Sequence, residues 1–303
     1  MLLIKINIIT LKNALKAVFT AFFLASASVS YAGQTVETIT ADANSPIVKD
    51  AFEWQFMLDL ALVDNQIVIA DVKQIDPWDY FQLGLLIDIS YKGFFLQTNS
   101  RRSSTALGSG EFGYQLTVQE KWQLDIIVKA YLYGYSPEDI LNKQDIPQLV
   151  GLSEKKPTGG IALRYSRFLD NSIFYVDVAT ARAADNDQDG SITGLIVDSF
   201  YSYLIPYRNW DIYLGAGLTY YDKAFVDYYI GIDADEVTSS RPLYEANRGF
   251  RGQLEVYAQY PLSESWSFNA GITQSFYTNN IKRSPLVDSN TFTEVMLGVL
   301  YVF

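Results

Sequence analysis

Trp210-Asp211-Ile212-Tyr213-Leu214-Gly215-Ala216-Gly217-Leu218-Thr219-Tyr220 alternates without a break. Trp210, Ile212, Leu214, Ala216, Leu218 and Tyr220 fall on one side, and Asp211, Tyr213, Gly215, Gly217 and Thr219 on the other. Period two is the signature of a β-strand, whose successive side chains point to opposite faces. The same period runs from Phe52 to Leu62, from Trp122 to Leu132 and from Phe250 to Tyr260. Each run is about ten residues long, against roughly five or six in a soluble sheet, and matches a tilted crossing of a bilayer. The apolar face begins or ends in Trp, Tyr or Phe, where a ring meets the lipid headgroups. The other face is polar, as a wet lumen requires. A soluble β-sandwich shows the same alternation, but with shorter strands.

Extending this reading predicts an all-β fold, a transmembrane antiparallel β-barrel of about twelve strands. Their centres fall near Phe56, Leu85, Phe95, Leu116, Val128, Leu163, Val178, Val197, Leu214, Val256, Ile272 and Val299. Ten strands is the alternative, because the stretch around Phe95 is short. Connections alternate in length. Short ones cover residues 90–93, 119–121, 169–171, 205–209 and 261–265; long ones cover 63–79, 100–110, 134–158, 183–191, 222–248 and 278–290. Short periplasmic turns opposite long external loops are expected of such a barrel, with both termini periplasmic. The last strand, Val295 to Phe303, must close on the first, since an open edge is not tolerated in lipid. Its end, Tyr301 and Phe303, resembles the signal read by the barrel assembly machinery.

The N-terminus reads as an export signal. Lys5, Lys12 and Lys16 precede an apolar stretch from Ala17 to Val29, and Ser30-Tyr31-Ala32 offers a cleavage site. The expected organisation is a signal peptide at residues 1–32, a periplasmic segment at 33–50 and the barrel at 51–303, in the bacterial outer membrane. Removing the signal leaves 20 Lys+Arg (of 23) against 34 Asp+Glu, a net charge of −14. That balance excludes nucleic acid as a partner and leaves outer-membrane lipid as the surroundings. With no Cys there is no disulfide framework.

The absence of His removes the usual nucleophilic triads, and with no Cys either there is no ordinary zinc site. The chain therefore reads as a non-enzyme with no cofactor. Inward candidates of both signs, among them Asp59, Asp125, Lys129, Arg164, Asp177 and Asp198, predict a salt-bridged lumen. Tyr131, Tyr213, Tyr257, Arg251 and Glu255 would crowd it. Asp185, Asp187 and Asp189, ahead of Gly190, match the start of a calcium-binding loop, but the twelfth position is Ile196 instead of Glu. A weak Ca²⁺ site and a solvated hairpin tip are the two readings.

Three stretches carry a family resemblance: Tyr229-Ile230-Gly231-Ile232-Asp233-Ala234-Asp235-Glu236-Val237, then Ser239 to Gly249 through Pro242 and Tyr244, and finally Ser284-Pro285-Leu286-Val287. Their order and spacing resemble the MltA-interacting protein (MipA/OmpV) family, with Arg241 as a departure. The resemblance implies a scaffold that binds a lytic transglycosylase and a murein synthase, a penicillin-binding protein, in peptidoglycan remodelling. The competing class is a small-solute channel, a receptor or an adhesin. Residues 222–248 form the longest loop and carry enough apolar residues to fold. They are expected to fold over or into the barrel mouth with Tyr229 and Tyr244 as anchors; an exposed partner-binding surface is the alternative. Gly231 and Asp233 read as a turn into a short helix, with Glu236 closing a capping box. Tyr133-Gly134-Tyr135-Ser136-Pro137-Glu138-Asp139 echoes this upstream, read either as a duplication or as one turn chemistry used twice, a glycine at positive φ followed by a helical turn.

Overall fold

The computed structural model describes residues 52–65, 72–73, 80–98, 110–185 and 190–303. The proposed signal peptide and the segment at 33–50 lie outside these residues. The described strands close into one barrel of twelve, each antiparallel to its sequence neighbours. They are β1 (Glu53–Asn65), β2 (Phe81–Tyr91), β3 (Phe94–Gln97), β4 (Glu111–Val118), β5 (Trp122–Leu132) and β6 (Thr158–Leu169). The others are β7 (Ser172–Asp185), β8 (Gly190–Tyr207), β9 (Trp210–Tyr221), β10 (Gly249–Pro261), β11 (Trp266–Tyr277) and β12 (Thr291–Val302). Each expected centre falls in its strand, and β3 counts despite its four residues. Closure is made by β12 on β1, with Leu58 opposite Tyr301 and Asn65 opposite Glu294.

The register explains the exposure pattern. Leu62, Leu83, Leu85, Leu163, Leu218 and Leu254 point outward and are exposed. So wide an apolar belt marks a surface that water does not cover, and on a barrel it is the lipid face. Aromatic pairs stand at the short-turn end, with ring centroids 4.9 Å apart for Trp266 and Tyr301 and 5.0 Å for Trp210 and Tyr260. Tyr220 and Phe250 pair at 5.2 Å toward the loop end. Inside, small residues make room for large ones. A Cβ on Gly113 would come within 2.3 Å of the Phe95 ring, so the ring lies against bare backbone.

One connection differs from expectation. Residues 183–191 read as a long loop, yet the β7–β8 ladder continues to Asp185 opposite Gly190. This hairpin outruns its neighbours, because β6 stops pairing at Ala183 and β9 at Ile196. Small and polar residues such as Ser191, Thr193 and Gly194 look like loop, but the space over Gly194 is filled by the loop that follows β9, with Phe225 3.1 Å from where a Cβ would stand.

Candidate functional site

The loop end of the barrel is closed over β5–β9 by a cap. Among the described residues three segments supply its helices, and Val72 and Lys73 of the β1–β2 connection pack against it, Lys73 donating its N–H to Gln144 at 3.0 Å. The first, after β5, holds helix α1 (Pro137–Leu141) and a 3₁₀ turn at Pro147–Leu149. The second, after β9, holds helix α2 (Lys223–Ile230). The third, after β11, holds helix α3 (Asn279–Lys282). Ile146, Leu149, Phe225, Ile232 and Leu286 from these segments share one buried cluster with the inward-facing Phe95, Ile127, Ala162, Ala179 and Ile196. Burying side chains of this size contributes about 1.5–3 kcal/mol each, enough to hold short segments that would not be helical alone.

Local sequence explains each piece. Ser136 accepts a hydrogen bond from the Asp139 N–H at 3.2 Å and caps α1, with Pro137 at its first position. Asp222 accepts from the Lys223 N–H at 2.6 Å at the start of α2. Two expectations are corrected here. The helix precedes Gly231 and does not follow it, and residues 234–236 form only a turn. Glu236 still makes the return bond of a capping box, accepting from the Asp233 N–H at 3.2 Å. Nor are the glycines left-handed. Gly231 has φ −67°, and a Cβ there would meet the Asp227 carbonyl oxygen at 2.4 Å. At Gly134 a Cβ would stand 2.0 Å from the Lys155 carbonyl oxygen, so close backbone approach is what requires glycine.

The family-like residues converge on this cap. The Tyr229 hydroxyl donates to the Lys156 carbonyl at 2.6 Å and lies 2.8 Å from the Thr158 hydroxyl. Tyr135 donates to the Tyr229 carbonyl at 3.0 Å. Burial raises both phenols above their ordinary pKa. Ile232 and Tyr244 form a two-residue bridge, and the Tyr244 hydroxyl donates to the Asn280 carbonyl, tying the second segment to the third. Ser284 donates to the Ile230 carbonyl at 2.6 Å from the other side. Pro242 is exposed, and Gly249 is buried where β10 begins, beside Ile281.

Arg241 was legible only as a departure from the family pattern. It is 1% exposed, and its guanidinium donates to the carbonyls of Glu236, Gln148 at 2.6 Å and Val150 at 3.1 Å. The carboxylate of Glu236 accepts from the Ser153 N–H at 3.2 Å and lies 3.6 Å from the Lys155 ammonium. Arg241 and Glu236 thereby lock the second segment to the first. Burial, then the nearby Glu236, raises the Asp233 carboxyl.

Below the cap, one side chain from each of seven consecutive strands makes a polar ladder: Glu111, Lys129, Arg164, Asp177, Asp198, Thr219 and Arg251. Arg164 donates to Glu111 at 2.8 Å and to Asp177 at 2.6 Å. Lys129 donates to Asp177 at 2.6 Å and to Asp198 at 3.4 Å. Thr219 donates to Asp198 at 2.7 Å, and Arg251 approaches Thr219 at 3.4 Å. Glu111 is the member that alternation did not single out. Buried charges paired in this way hold a lumen in one geometry.

Two other predicted sites stand apart. The Phe303 N–H donates to the Phe56 carbonyl at 3.1 Å, and Tyr301 packs edge-on against Phe303 at 5.0 Å, so both lie on the closing seam. Asp187 and Asp189, and the side chain of Asp185, lie outside the described residues. Among the described residues no group of three potential metal ligands occurs.

A closed barrel with an outward apolar belt, aromatic ends and a charged interior defines the class: a transmembrane β-barrel of the bacterial outer membrane. Within it the chain belongs to the MltA-interacting protein MipA family, whose model matches residues 73–303. It is 28% identical over 122 residues to the outer membrane protein OmpV of Vibrio cholerae, covering 39% of this chain and 44% of that protein. It is 21% identical over 228 residues to the 24 kDa outer membrane protein of Pasteurella multocida, covering 72% of this chain and 80% of that protein. Among solved structures, the outer membrane channel DcaP of Acinetobacter baumannii aligns with a TM-score of 0.40 and 9% identity, over 83% of this chain and 97% of that one.

Proposed function

We propose that the protein is a non-catalytic anchor in the outer membrane that holds a lytic transglycosylase beside a murein synthase of the penicillin-binding class. The observation that carries this reading is the cap. Three segments pack into the lumen over β5–β9 as one buried cluster, an arrangement built for rigidity and not for wide passage. The family's description as MltA-interacting points to the transglycosylase. In this reading the short turns and both ends of the barrel face the periplasm.

Surface plasmon resonance tests the reading, with the refolded mature barrel immobilised and the purified lytic transglycosylase of the same organism as analyte. Saturable binding at micromolar concentration or tighter is expected, and it should survive deletion of residues 226–246 on the opposite side of the membrane. Absence of binding together with porin-sized conductance would move the protein to the solute-channel class.

A further inference from the structure

The two halves of the lumen differ electrically. Strands β4–β10 carry the ladder, in which Lys129 and Arg164 pair with Glu111, Asp177 and Asp198, with Arg251 and the acids Asp125 and Glu255 on the same strands. Strands β11, β12, β1 and β2 contain no Lys or Arg at all. Their inward faces instead carry Glu53, Asp59, Asp88 and Glu294, as the alternation and register require. Asp59 and the residue opposite Glu294, Asn65, lie six positions apart on β1. At about 3.3 Å per residue that is roughly 20 Å of wall.

Between these two acids the inward side chains form an apolar neck across the lumen side of the wall. Ala61, Val63, Tyr257 and Met296 form a buried cluster with Tyr213 packed against it. Asp59 lies on its short-turn side. Glu294 lies on its loop side, level with Glu255, since both pair with Thr273. Asp59 is 1% exposed, and only one of its carboxylate oxygens has a partner, the Asn269 amide at 3.1 Å. The Asp59 Oδ2 and the Asn269 Oδ1 are buried acceptors with no donor. Buried acceptors in this state are suited to a cation or its water. The cap's buried cluster takes no strand residue from β1, β2 or β12; its contacts on this side come from Tyr277 at the end of β11 and from the connecting loops, through Val72, Ile281 and Leu286.

We propose that the β11–β12–β1–β2 wall is a narrow path for small monovalent cations, with the Tyr257–Met296 neck as its gate and Asp59 and Glu294 as the charges on either side. Carboxylates flanking an apolar constriction select cations, and the constriction limits the current by dewetting. This path is independent of the anchoring role, and its failure would leave that role untouched.

The test is ion selectivity of the mature barrel in planar bilayers under a KCl gradient. A small current is expected, with its reversal potential on the potassium side. The Asp59→Asn/Glu294→Gln double variant should lower the K⁺-to-Cl⁻ permeability ratio by about threefold or more, as loss of two charges lining a low-dielectric path requires. Glu138→Gln, an exposed change on α1, should leave the ratio alone. Met296→Ala should raise conductance while keeping the preference for potassium. Heat-modifiable migration on gels verifies that each variant is folded. No current from the folded barrel, a chloride preference, or an unchanged ratio in the double variant would overturn the proposal.

Discussion

The guanidinium of Arg241 donates to the carbonyl oxygen of Gln148 at 2.6 Å, joining two loops 93 residues apart in sequence. A buried cation held by backbone carbonyls positions chain, not substrate. It makes the cap one body where its loops would otherwise be three.

Replacing Arg241 should therefore open the cap and spare the barrel. Arg241→Leu leaves the Glu236, Gln148 and Val150 carbonyls without their donor. Loss of several charge-assisted bonds at a buried site costs about 3–5 kcal/mol. Limited proteolysis should cut within residues 236–245 of the variant but not of the native protein, at unchanged barrel Tm. Equal resistance of the two would refute the locking role.

Deleting residues 226–246 removes most of α2 and the Ile232–Tyr244 bridge. Single-channel conductance should rise severalfold, and antibiotic entry into cells should rise with it. A loop that only binds a partner outside would leave both unchanged.

The cap should also loosen in alkali. Tyr135 and Tyr229 have folded pKa values raised by burial above the ordinary ~10. A raised value means that their contribution is fully present below about pH 10 and is lost as pH climbs through the folded values. Protease sensitivity of the cap should increase above that pH. Tyr229→Phe cannot ionise, so it should shift the onset upward, although it lacks the bond to the Lys156 carbonyl. An onset identical in the two proteins would show that other groups govern the transition.

Removal of Phe303 takes away the last backbone bond of the seam and the ring against Tyr301. The truncated chain should accumulate as periplasmic aggregate or be degraded, with little in the outer membrane. Immunoblots of fractionated cells decide, and normal outer-membrane levels would count against an assembly signal there.

The strands were legible because lipid and water impose opposite demands on alternate residues, as Leu214 and Leu218 against Asp211 and Thr219 show. The helix at Lys223–Ile230 was not. Its Phe225, Val226, Tyr228, Tyr229 and Ile230 have strand propensity, and only packing under Gly194 and beside Ile196 makes it helical. Asp222 was the one local clue. The ladder's members were mostly readable and its pairings were not, because register alone sets Arg164 opposite Asp177. Arg241 stayed hidden because its partners are carbonyls, which every residue carries.

Gly113 and Phe95 cannot change independently, because the ring occupies the place of the missing Cβ. The pair is an epistatic unit. Gly113→Ala should be damaging beside Phe95 and tolerated beside a smaller residue such as Leu. Drift at this site then proceeds through Phe95 first, which makes the order of mutations, and not only their identity, a property of the fold.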